Sequence, residues 1–588
     1  MFTFFSCIAF MAFVAWYSWY KTKGTISTSN GYFLAGNKLG ALFIAGSLLL
    51  TNISTEQLVG QSGVAYAGNM TALAWEIWAI RGIILLAILF LPMYLGGAFS
   101  TMPEFLSSHY GEGTRKLIVY LFMFGYLFVW SPTVLYGGAL ALMKILNIES
   151  YLGLSKMEAL WLCTIVIGVI GAIYAVAGGL KAVAISDTLN GIGLLVIGCL
   201  VPIFGLLALG DKIQGNLLET LHYIAVTHTE KLDAIGTGSQ LDAIPIAAVF
   251  TGLMVLATFY WGTNQFIIQR ALGAESLRSG QKGLLLAGFF KMIVPFIALF
   301  PGLLAFHLYG ENFESKDLAY PTLVSNVLPA PLLGLFIAAL LGAVFSTYNS
   351  LINSASTLFA VDIYKAVINS NASDQRVIYI SKIFGIICSI LTIIIAPNLF
   401  YAPQGLFIFL QQFTGFIAIP IVSLVLLGLF GKRIRIPELA AKFIIIFHVI
   451  IYYLLVFGLK KYIHIHWMHV YGLLFVAEII ILILWGIIKP NKNQIKLTVN
   501  RSKIDMQAWN YSLLTSGILI SIASLIYILF SKVGLAYDQG VVSPDFWTYF
   551  ISALALCVLV CIWLHIKVQP IYNRYIHTRY NSTTNNKE

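Results

Sequence analysis

The chain has 588 residues, of which 59% are hydrophobic and 10% are charged. Soluble globular chains carry roughly 25% charged residues, so these figures exclude a soluble enzyme, a disordered protein and a nucleic-acid-binding module. The formal net charge of +11 is better explained by the cytoplasmic loops of a polytopic membrane protein than by a polyanion-binding surface.

Fifteen apolar stretches are candidate membrane spans, because a bilayer core of about 30 Å takes roughly 20 helical residues to cross. In chain order they lie near residues 2–20, 38–66, 71–95, 117–146, 158–179, 185–209, 243–269, 281–309, 331–361, 377–398, 403–430, 437–459, 466–489, 509–531 and 546–566. The first lacks a basic region and a small-residue cleavage site, so we expect a retained helix rather than a signal peptide. Membrane β-strands would alternate in polarity, which these stretches do not. The sequence predicts an all-helical integral membrane protein.

Basic residues concentrate in alternate connections between these stretches. The richer connections include Arg115, Lys181, Arg270, Lys365 and Arg435, whereas 310–330 is net acidic. By the positive-inside rule we expect a multi-pass protein of the plasma or inner cell membrane, with an external N-terminus and a cytoplasmic C-terminus. The connection 210–242 is then external, 490–508 is a basic cytoplasmic linker, and the polar tail is disordered.

Burying a charged residue inside an apolar span costs free energy, so each such residue is a candidate for a functional role. They are few: Glu56, Glu76, Arg81, Lys291 and Glu478, with Asp187 near a helix start. Asp187 could cap the sixth span or lie on the exit path of an ion. We interpret Glu478 and His448, in the late helices, as structural.

The second stretch is the strongest candidate for a broken helix. Thr51, Asn52 and Ser54 can form local hydrogen bonds that compete with the helical ladder. A break would free carbonyls to bind a cation and leave Glu56 and Gln57 to hold a substrate. The alternative is a continuous helix whose Glu56 and Gln57 pair with neighbouring helices.

The ninth stretch carries a polar stripe that could face this break. Ser346, Ser350, Asn353 and Thr357 share one helix face, and the adjacent hydroxyls of Ser346 and Thr347 could both reach one Na⁺ ion. The alternative is that small hydroxylated residues allow close helix packing, as they often do in membranes.

Further polar residues lie near aromatic ones: Glu76 between Trp75 and Trp78, Lys291 after two phenylalanines, and Gln411 before Phe413. Carboxylate and amide acceptors with ammonium donors and aromatic rings suit a neutral polyol. Alternatively, Glu76 pairs with Arg81, and Lys291 pairs with a structural carboxylate.

Several segments resemble the solute:sodium symporter family, and specifically its sodium/sugar branch. They appear in order at residues 31–36 (GYFLAG), 51–57 (TNISTEQ), 178–187 (GGLKAVAISD), 260–265 (YWGTNQ) and 346–365. The resemblance implies a LeuT-type core of two inverted five-helix repeats, near 38–209 and 243–430. The transporter region would be 1–430, with an extra helix at 2–20, and about four accessory helices would follow in 431–588.

The resemblance also implies functional residues at matching positions. Sodium would be bound by the carbonyls of Leu50, Ile53 and Ala343 and by the hydroxyls of Ser346 and Thr347. The substrate would contact Asn52, Glu56, Gln57, Glu76, Lys291, Gln411, Tyr260 and Trp261. Tyr260 would be the inner gate, and Trp75 and Phe407 would close the outer side. Ala257, Ala79 and Gln61 depart from the branch's pattern and bear on which sugar is selected.

We therefore predict a sodium-driven symporter that imports a monosaccharide or similar polyhydroxylated solute by alternating access. No Walker-type loop occurs in a suitable context, so an ion gradient must drive any uphill transport. One alternative is a symporter of the same fold for a carboxylated solute or amino acid, with Lys291 as its cationic clamp. Another is a sugar sensor or channel that no longer couples. A membrane enzyme has no metal-ligand cluster or nucleophile–base pair to support it.

Overall fold

The computed structural model of the protein describes residues 2–22, 37–97, 99, 101–401, 405–431, 434–462, 464–491 and 504–581, and within these ranges a few side chains, chiefly those of 175–184, are left out. The motif at 31–36, most of the predicted 490–508 linker and the tail beyond Asn581 lie outside this description. Within it the chain is helical, with isolated β-bridges but no strands. The predicted all-helical class is confirmed.

Helices correspond to all fifteen predicted stretches, and we number them in chain order. In the first half they are α1 (Phe2–Thr22), α2a (Ala41–Asn52), α2b (Glu56–Ala67), α3 (Met70–Gly97), α4 (Glu112–Ile145), α5 (Lys156–Tyr174), α6 (Ile185–Ile213) and α7, which consists of Ile246–Phe250, Gly252–Gly262 and Gln265–Leu272. In the second half they are α8a (Leu277–Lys291), α8b (Val294–Tyr309), α9 (Ala330–Ile368), α10 (Asp374–Tyr401), α11 (Leu406–Phe430), α12 (Glu438–Gly458), α13 (Trp467–Ile488), α14 (Ser512–Leu529) and α15 (Phe546–Tyr580).

Eleven described helices are long and apolar enough to cross a membrane, or thirteen if two bent pairs each count as one span. The bent pairs are α2a with α2b, at 52°, and α8a with α8b, at 40°. The other two predicted spans are α1 and the three-part α7. Shorter helices lie between spans at Met102–Tyr110, Leu217–Val226 and Ala319–Val327, so the connection 210–242 contains a helix.

The first half of the broken helix lies at the centre of the packing. α2a packs against α6 and α8a, and α9 packs across the pair α5 and α6. At Gly46 the backbone of α2a comes so close to α6 that a Cβ would lie 2.6 Å from Thr188 Oγ1. Gly46 therefore allows α2a to pack closely against α6.

The accessory helices α12 and α13 attach to α11 through buried polar groups. His448 Nδ1 lies 2.6 Å from Glu478 Oε1, its Nε2 lies 3.0 Å from the Gly415 carbonyl, and Ser423 donates to Glu478 Oε2 at 2.8 Å. His448 and Glu478 are fully buried. Their mutual contact offsets part of the free energy that burying each polar side chain costs. This arrangement agrees with the structural interpretation of both residues.

α15 packs against α14 and also reaches α3 and α8a through Tyr572. Its hydroxyl donates to the Ile88 carbonyl at 2.9 Å and accepts from Gln281 Nε2 at 2.8 Å. Ile88 lies in a π-helical turn of α3, and such turns leave carbonyls without their usual helical partner. The C-terminal helix is thereby tied to α3 and α8a.

Candidate functional site

The backbone breaks where the sequence predicts it. α2a ends at Asn52, and Ile53 leaves the helical region with φ −83° and ψ 94°. In a continuous helix the Ser54 amide would donate to the Leu50 carbonyl, but it donates instead to Gln57 Oε1 at 3.4 Å. The carbonyls at the end of α2a thus lack helical partners and are available to another group.

Thr347 of α9 faces these carbonyls. Its hydroxyl lies 3.0 Å from the Thr51 carbonyl and 3.4 Å from that of Leu50. Ser346 is buried beside the Asp187 carboxyl, and its hydroxyl makes no well-aligned hydrogen bond. Leu50, Ile53 and Ala343 are completely buried in the same region. Thr347 therefore brings a hydroxyl next to two carbonyls of the break, and oxygens of these kinds are the ligands that a hard cation prefers.

Asp187 belongs to a buried network that the sequence did not reveal. Its Oδ2 accepts from Ser47 at 2.7 Å and lies 3.5 Å from Arg270 Nη2. Arg270 also donates to the Ser47 hydroxyl at 2.7 Å, to the Phe266 carbonyl at 2.6 Å and to Ser350. The assignment of Arg270 to a cytoplasmic loop was wrong, because this side chain is 1% exposed. A buried arginine needs a carboxylate partner, and Asp187 is that partner.

A second cluster, which we call the central cluster, consists of Asn52, Glu56, Gln61, Glu76 and Lys291. Lys291 Nζ lies 2.5 Å from Glu76 Oε2 and donates to Asn52 Oδ1. Gln61 Nε2 donates to Glu76 Oε1 at 2.6 Å, and Ser54 donates to Glu56. Glu56 interacts electrostatically with both Lys291 and Glu76. Every member is at most 5% exposed.

The alternative pairing of Glu76 with Arg81 does not form. Arg81 donates instead to the carbonyls of Trp78 and Val249, while Glu76 pairs with Lys291 across α3 and α8a. The prediction that Glu76 and Lys291 lie in the same region agrees with this contact, whereas the alternative of a pair within one helix does not.

Aromatic rings cover the central cluster. Tyr260 of α7 accepts a hydrogen bond from Asn52 Nδ2 at 3.1 Å, and its ring contacts those of Trp261 and Phe266. Trp75 and Phe407 meet edge to face with ring centroids 4.9 Å apart. Trp75 precedes Glu76 in α3, and Phe407, which is 1% exposed, lies in α11, so this contact joins α3 to α11 beside the central cluster.

Gln57 and Gln411 are less closely tied to this cluster. Gln57 accepts from the Ser54 amide of its own segment. Gln411 is half-buried, and its described hydrogen bond is made by its carbonyl, which accepts from Tyr471 at 2.6 Å. The structure therefore places Gln411 on α11 without joining its side chain to the central cluster.

This arrangement of broken helices around buried polar and ionic groups defines an ion-coupled membrane transporter. A model of the sodium:solute symporter family matches residues 32–437. The chain belongs to this family, as the sequence resemblance predicted, and is a sodium-coupled symporter rather than an enzyme.

Three curated relatives are similar over most of the chain. The symporter YidK of Escherichia coli (strain K12) is 40% identical over 547 residues, which cover 92% of both chains. The sodium/glucose cotransporter of Vibrio parahaemolyticus is 30% identical over 70% of this chain and 77% of its own. The human sodium/myo-inositol cotransporter 2 is 29% identical over 69% of this chain and 62% of its own.

The fold also matches a solved structure, that of a Na⁺-coupled sialic acid symporter in a substrate-bound, outward-open state. The TM-score is 0.71 at 18% identity, over 84% of this chain and 99% of the other. At this identity the likeness shows the fold alone, and it confirms the predicted LeuT-type class.

Proposed function

We propose that this symporter uses the sodium gradient to import a monosaccharide or similar polyhydroxylated solute. The observation that carries this proposal is the composition of the central cluster. It offers carboxylate and amide acceptors with one ammonium donor, all of them buried and next to the rings of Tyr260 and Trp261. Hydroxyl groups need both donors and acceptors, and the apolar faces of a sugar pack on rings.

The charge balance of the central cluster favours a neutral solute. Lys291 interacts with two carboxyl groups, those of Glu76 and Glu56, so it has no surplus charge for a third. A carboxylated solute would have to displace one of these partners and leave it buried without a cation, which is costly. The glucose and myo-inositol named for two relatives are polyhydroxylated and uncharged.

In this proposal the substrate replaces the contacts that the central cluster makes within itself. Asn52, Glu56, Gln57, Glu76 and Lys291 bind its hydroxyls, with Gln411 reaching in from α11. Tyr260 and Trp261 cover its inner face. Trp75 and Phe407 form the outer gate, and movement of Tyr260 opens the inner one.

The proposed sodium site joins the broken helix to α9. Carbonyls of Leu50, Ile53 and Ala343 and hydroxyls of Ser346 and Thr347 would bind the ion, and Asp187 would lie on its exit path. Sodium would hold α2a against α9 in the outward-facing arrangement. Because linkage is reciprocal, it would also favour substrate binding.

Two features of the wider architecture belong to the same proposal. The core consists of inverted repeats near 38–209 and 243–430, which rock about the central cluster. The N-terminus is external and the C-terminus cytoplasmic, so sodium and substrate enter from the side that carries residues 310–330.

Uptake into proteoliposomes tests this function. With an inward sodium gradient we expect accumulation of a radiolabelled sugar above its external concentration, and no accumulation when potassium replaces sodium. Competition by a panel of sugars, inositols, amino acids and carboxylates identifies the class. Competition by carboxylates but not by sugars would contradict the proposed substrate, and equilibration without accumulation would identify an uncoupled channel or sensor.

A further inference from the structure

Arg81 is a charged residue inside a membrane span that the transport function does not use. It lies in α3, five residues after Glu76, and is partly exposed. Among the described residues no carboxylate lies within ion-pair distance of its guanidinium. An arginine in a membrane span normally pairs with an acid or serves a function, and here the pairing is missing.

The contacts of Arg81 leave much of its hydrogen-bonding capacity unused. Its Nη2 donates to the Val249 carbonyl at 2.9 Å and its Nε donates to the Trp78 carbonyl at 3.3 Å. The guanidinium carbon lies 4.9 Å from the centre of the Trp78 ring. A guanidinium has five N–H donors, so Nη1 and one N–H of Nη2 have no described acceptor.

Two more donors converge on the same place. The Trp78 indole nitrogen and the Tyr527 hydroxyl are buried and lie within reach of each other, but neither makes a well-aligned hydrogen bond in the described part of the chain. Their rings are 5.3 Å apart, and Tyr527 interacts electrostatically with Arg81. Tyr527 is only 7% exposed. A buried polar group without a well-aligned partner destabilises the folded state, so two such groups beside an unpaired arginine point to a missing acceptor.

The position of these residues indicates where the acceptor comes from. Tyr527 is two residues from the end of α14, and Val249 is three residues after the start of α7. The site therefore lies near the ends of two membrane helices, where lipid headgroups begin. Long arginine side chains extend towards this depth from positions further inside the membrane.

We propose that Arg81, Trp78 and Tyr527 form a binding site for a phosphate oxyanion between α3, α7 and α14. A phosphate oxygen accepts several hydrogen bonds at once, and arginine binds it with a planar pair of N–H groups. The phosphodiester of a membrane phospholipid and free inorganic phosphate both supply this chemistry. A bound phosphate would tie the accessory helix α14 to the two helices that carry Glu76 and Tyr260, whatever solute the protein transports.

Native mass spectrometry of the full chain in neutral detergent tests the site. The probes are phosphatidylglycerol, diacylglycerol, which lacks the phosphate, and inorganic phosphate, whose binding is followed by thermal shift. We expect phosphatidylglycerol to bind the wild-type protein at least about tenfold more tightly than Arg81→Gln, a loss in the range of a charge-assisted pair. Arg574→Gln, an exposed arginine of α15, is the matched control and should bind like wild type.

Each outcome of this experiment decides one point. Equal affinity of wild type and Arg81→Gln for phosphatidylglycerol, with no difference in thermal shift by phosphate, overturns the site. Equal binding of diacylglycerol and phosphatidylglycerol overturns its phosphate chemistry. A phosphate-induced shift that Arg81→Gln loses, without lipid selectivity, supports the site with a free anion as its ligand.

Two further variants keep the test valid if Arg81→Gln does not fold. Tyr527→Phe and Trp78→Phe retain the charge and remove only one donor each. We expect each of them to bind phosphatidylglycerol about three- to tenfold more weakly than wild type, since each loses one hydrogen bond to the charged phosphate while Arg81 keeps its own. Wild-type affinity in both would contradict the proposal.

Discussion

Lys291 is the residue on which the central cluster depends, because it contacts both Glu76 and Asn52. Replacing it by methionine keeps most of its volume but leaves the Glu76 carboxylate buried without a cation. We expect Lys291→Met to lose uptake and about 3–5 kcal/mol of stability. Adding Glu76→Gln should recover most of the stability but not the uptake.

Thermal unfolding and sugar uptake measure these two effects separately. Lys282→Met is the matched control, since this lysine lies in the same helix, is only partly buried and faces Trp509. Normal uptake by Lys291→Met would remove this residue from the substrate site, and equal stability of the single and double variants would show that the pair with Glu76 is unimportant.

Thr347 allows the sodium site to be tested apart from the substrate site. Its hydroxyl faces the carbonyls of Leu50 and Thr51, so Thr347→Ala removes one proposed ion ligand. We expect the sodium concentration for half-maximal uptake to rise about five- to tenfold, as the loss of one such contact implies. Ser356→Ala, which removes another buried hydroxyl of α9 without a described partner, should leave it unchanged. A change of equal size in both variants would argue for a packing effect.

Some residues of both clusters could be found from the sequence and others could not. Asn52, Glu76 and Lys291 were identifiable because a polar group in an apolar stretch is conspicuous. Arg270 was not, since it lies in a segment rich in basic residues, and only the structure shows it buried against Asp187. Which of two cations pairs with Glu76 depends on how separate helices pack, and helical spacing on α3 carries no such information.

At the scale of elements, the proposed outer gate depends on the contact between α2b and α11. A Cβ at Gly60 would lie 2.8 Å from the Cβ of Phe407 and 3.3 Å from its backbone nitrogen. Because backbone atoms cannot move aside alone, Gly60→Ala should push the helices apart at a cost of about 1–3 kcal/mol. We expect this variant to keep sodium binding, lose most uptake, and exchange amide hydrogens of residues 406–412 faster.

Gly458→Ala is the control for this substitution, since the nearest atoms to its added Cβ would be 3.6 Å away or more. It should resemble wild type in uptake and in hydrogen exchange. Unchanged exchange at 406–412 in Gly60→Ala would show that this contact does not close the gate.

At the scale of the whole molecule, apolar stretches were sufficient to find the helical fold but not to count its spans. Hydropathy treats 243–269 as one stretch, whereas the structure divides it into three helices, with Thr263 and Asn264 at one of the breaks. Polar groups outside the stretch stabilise that break: Tyr126 donates to Asn264 at 2.8 Å, and the Met102 amide donates to Gln265 at 2.8 Å. Breaks of this kind depend on tertiary partners, which a single stretch of sequence cannot show.

The connection between α12 and α13 should make the stability of the whole protein depend on pH. His466 precedes α13, and its Nδ1 accepts a hydrogen bond from the Met468 amide at 3.3 Å. Burial, helped by the neighbouring His469, lowers the pKa of His466 from 6.5 to about 4. Between these values the unfolded chain binds a proton that the folded one does not, so the free energy of unfolding falls as pH decreases from about 6.5 to about 4.

His466→Asn removes this titration and keeps a side chain that can cap a helix. We expect the melting temperature of the wild type to fall more between pH 7 and pH 5 than that of His466→Asn. Above pH 7 the melting temperatures of the two proteins should differ less. His464→Asn, at an exposed position in the same connection, should follow the wild type. If His466→Asn shows the same pH dependence as wild type, then the buried imidazole does not control stability in this range, and the titrating group must lie elsewhere in the chain.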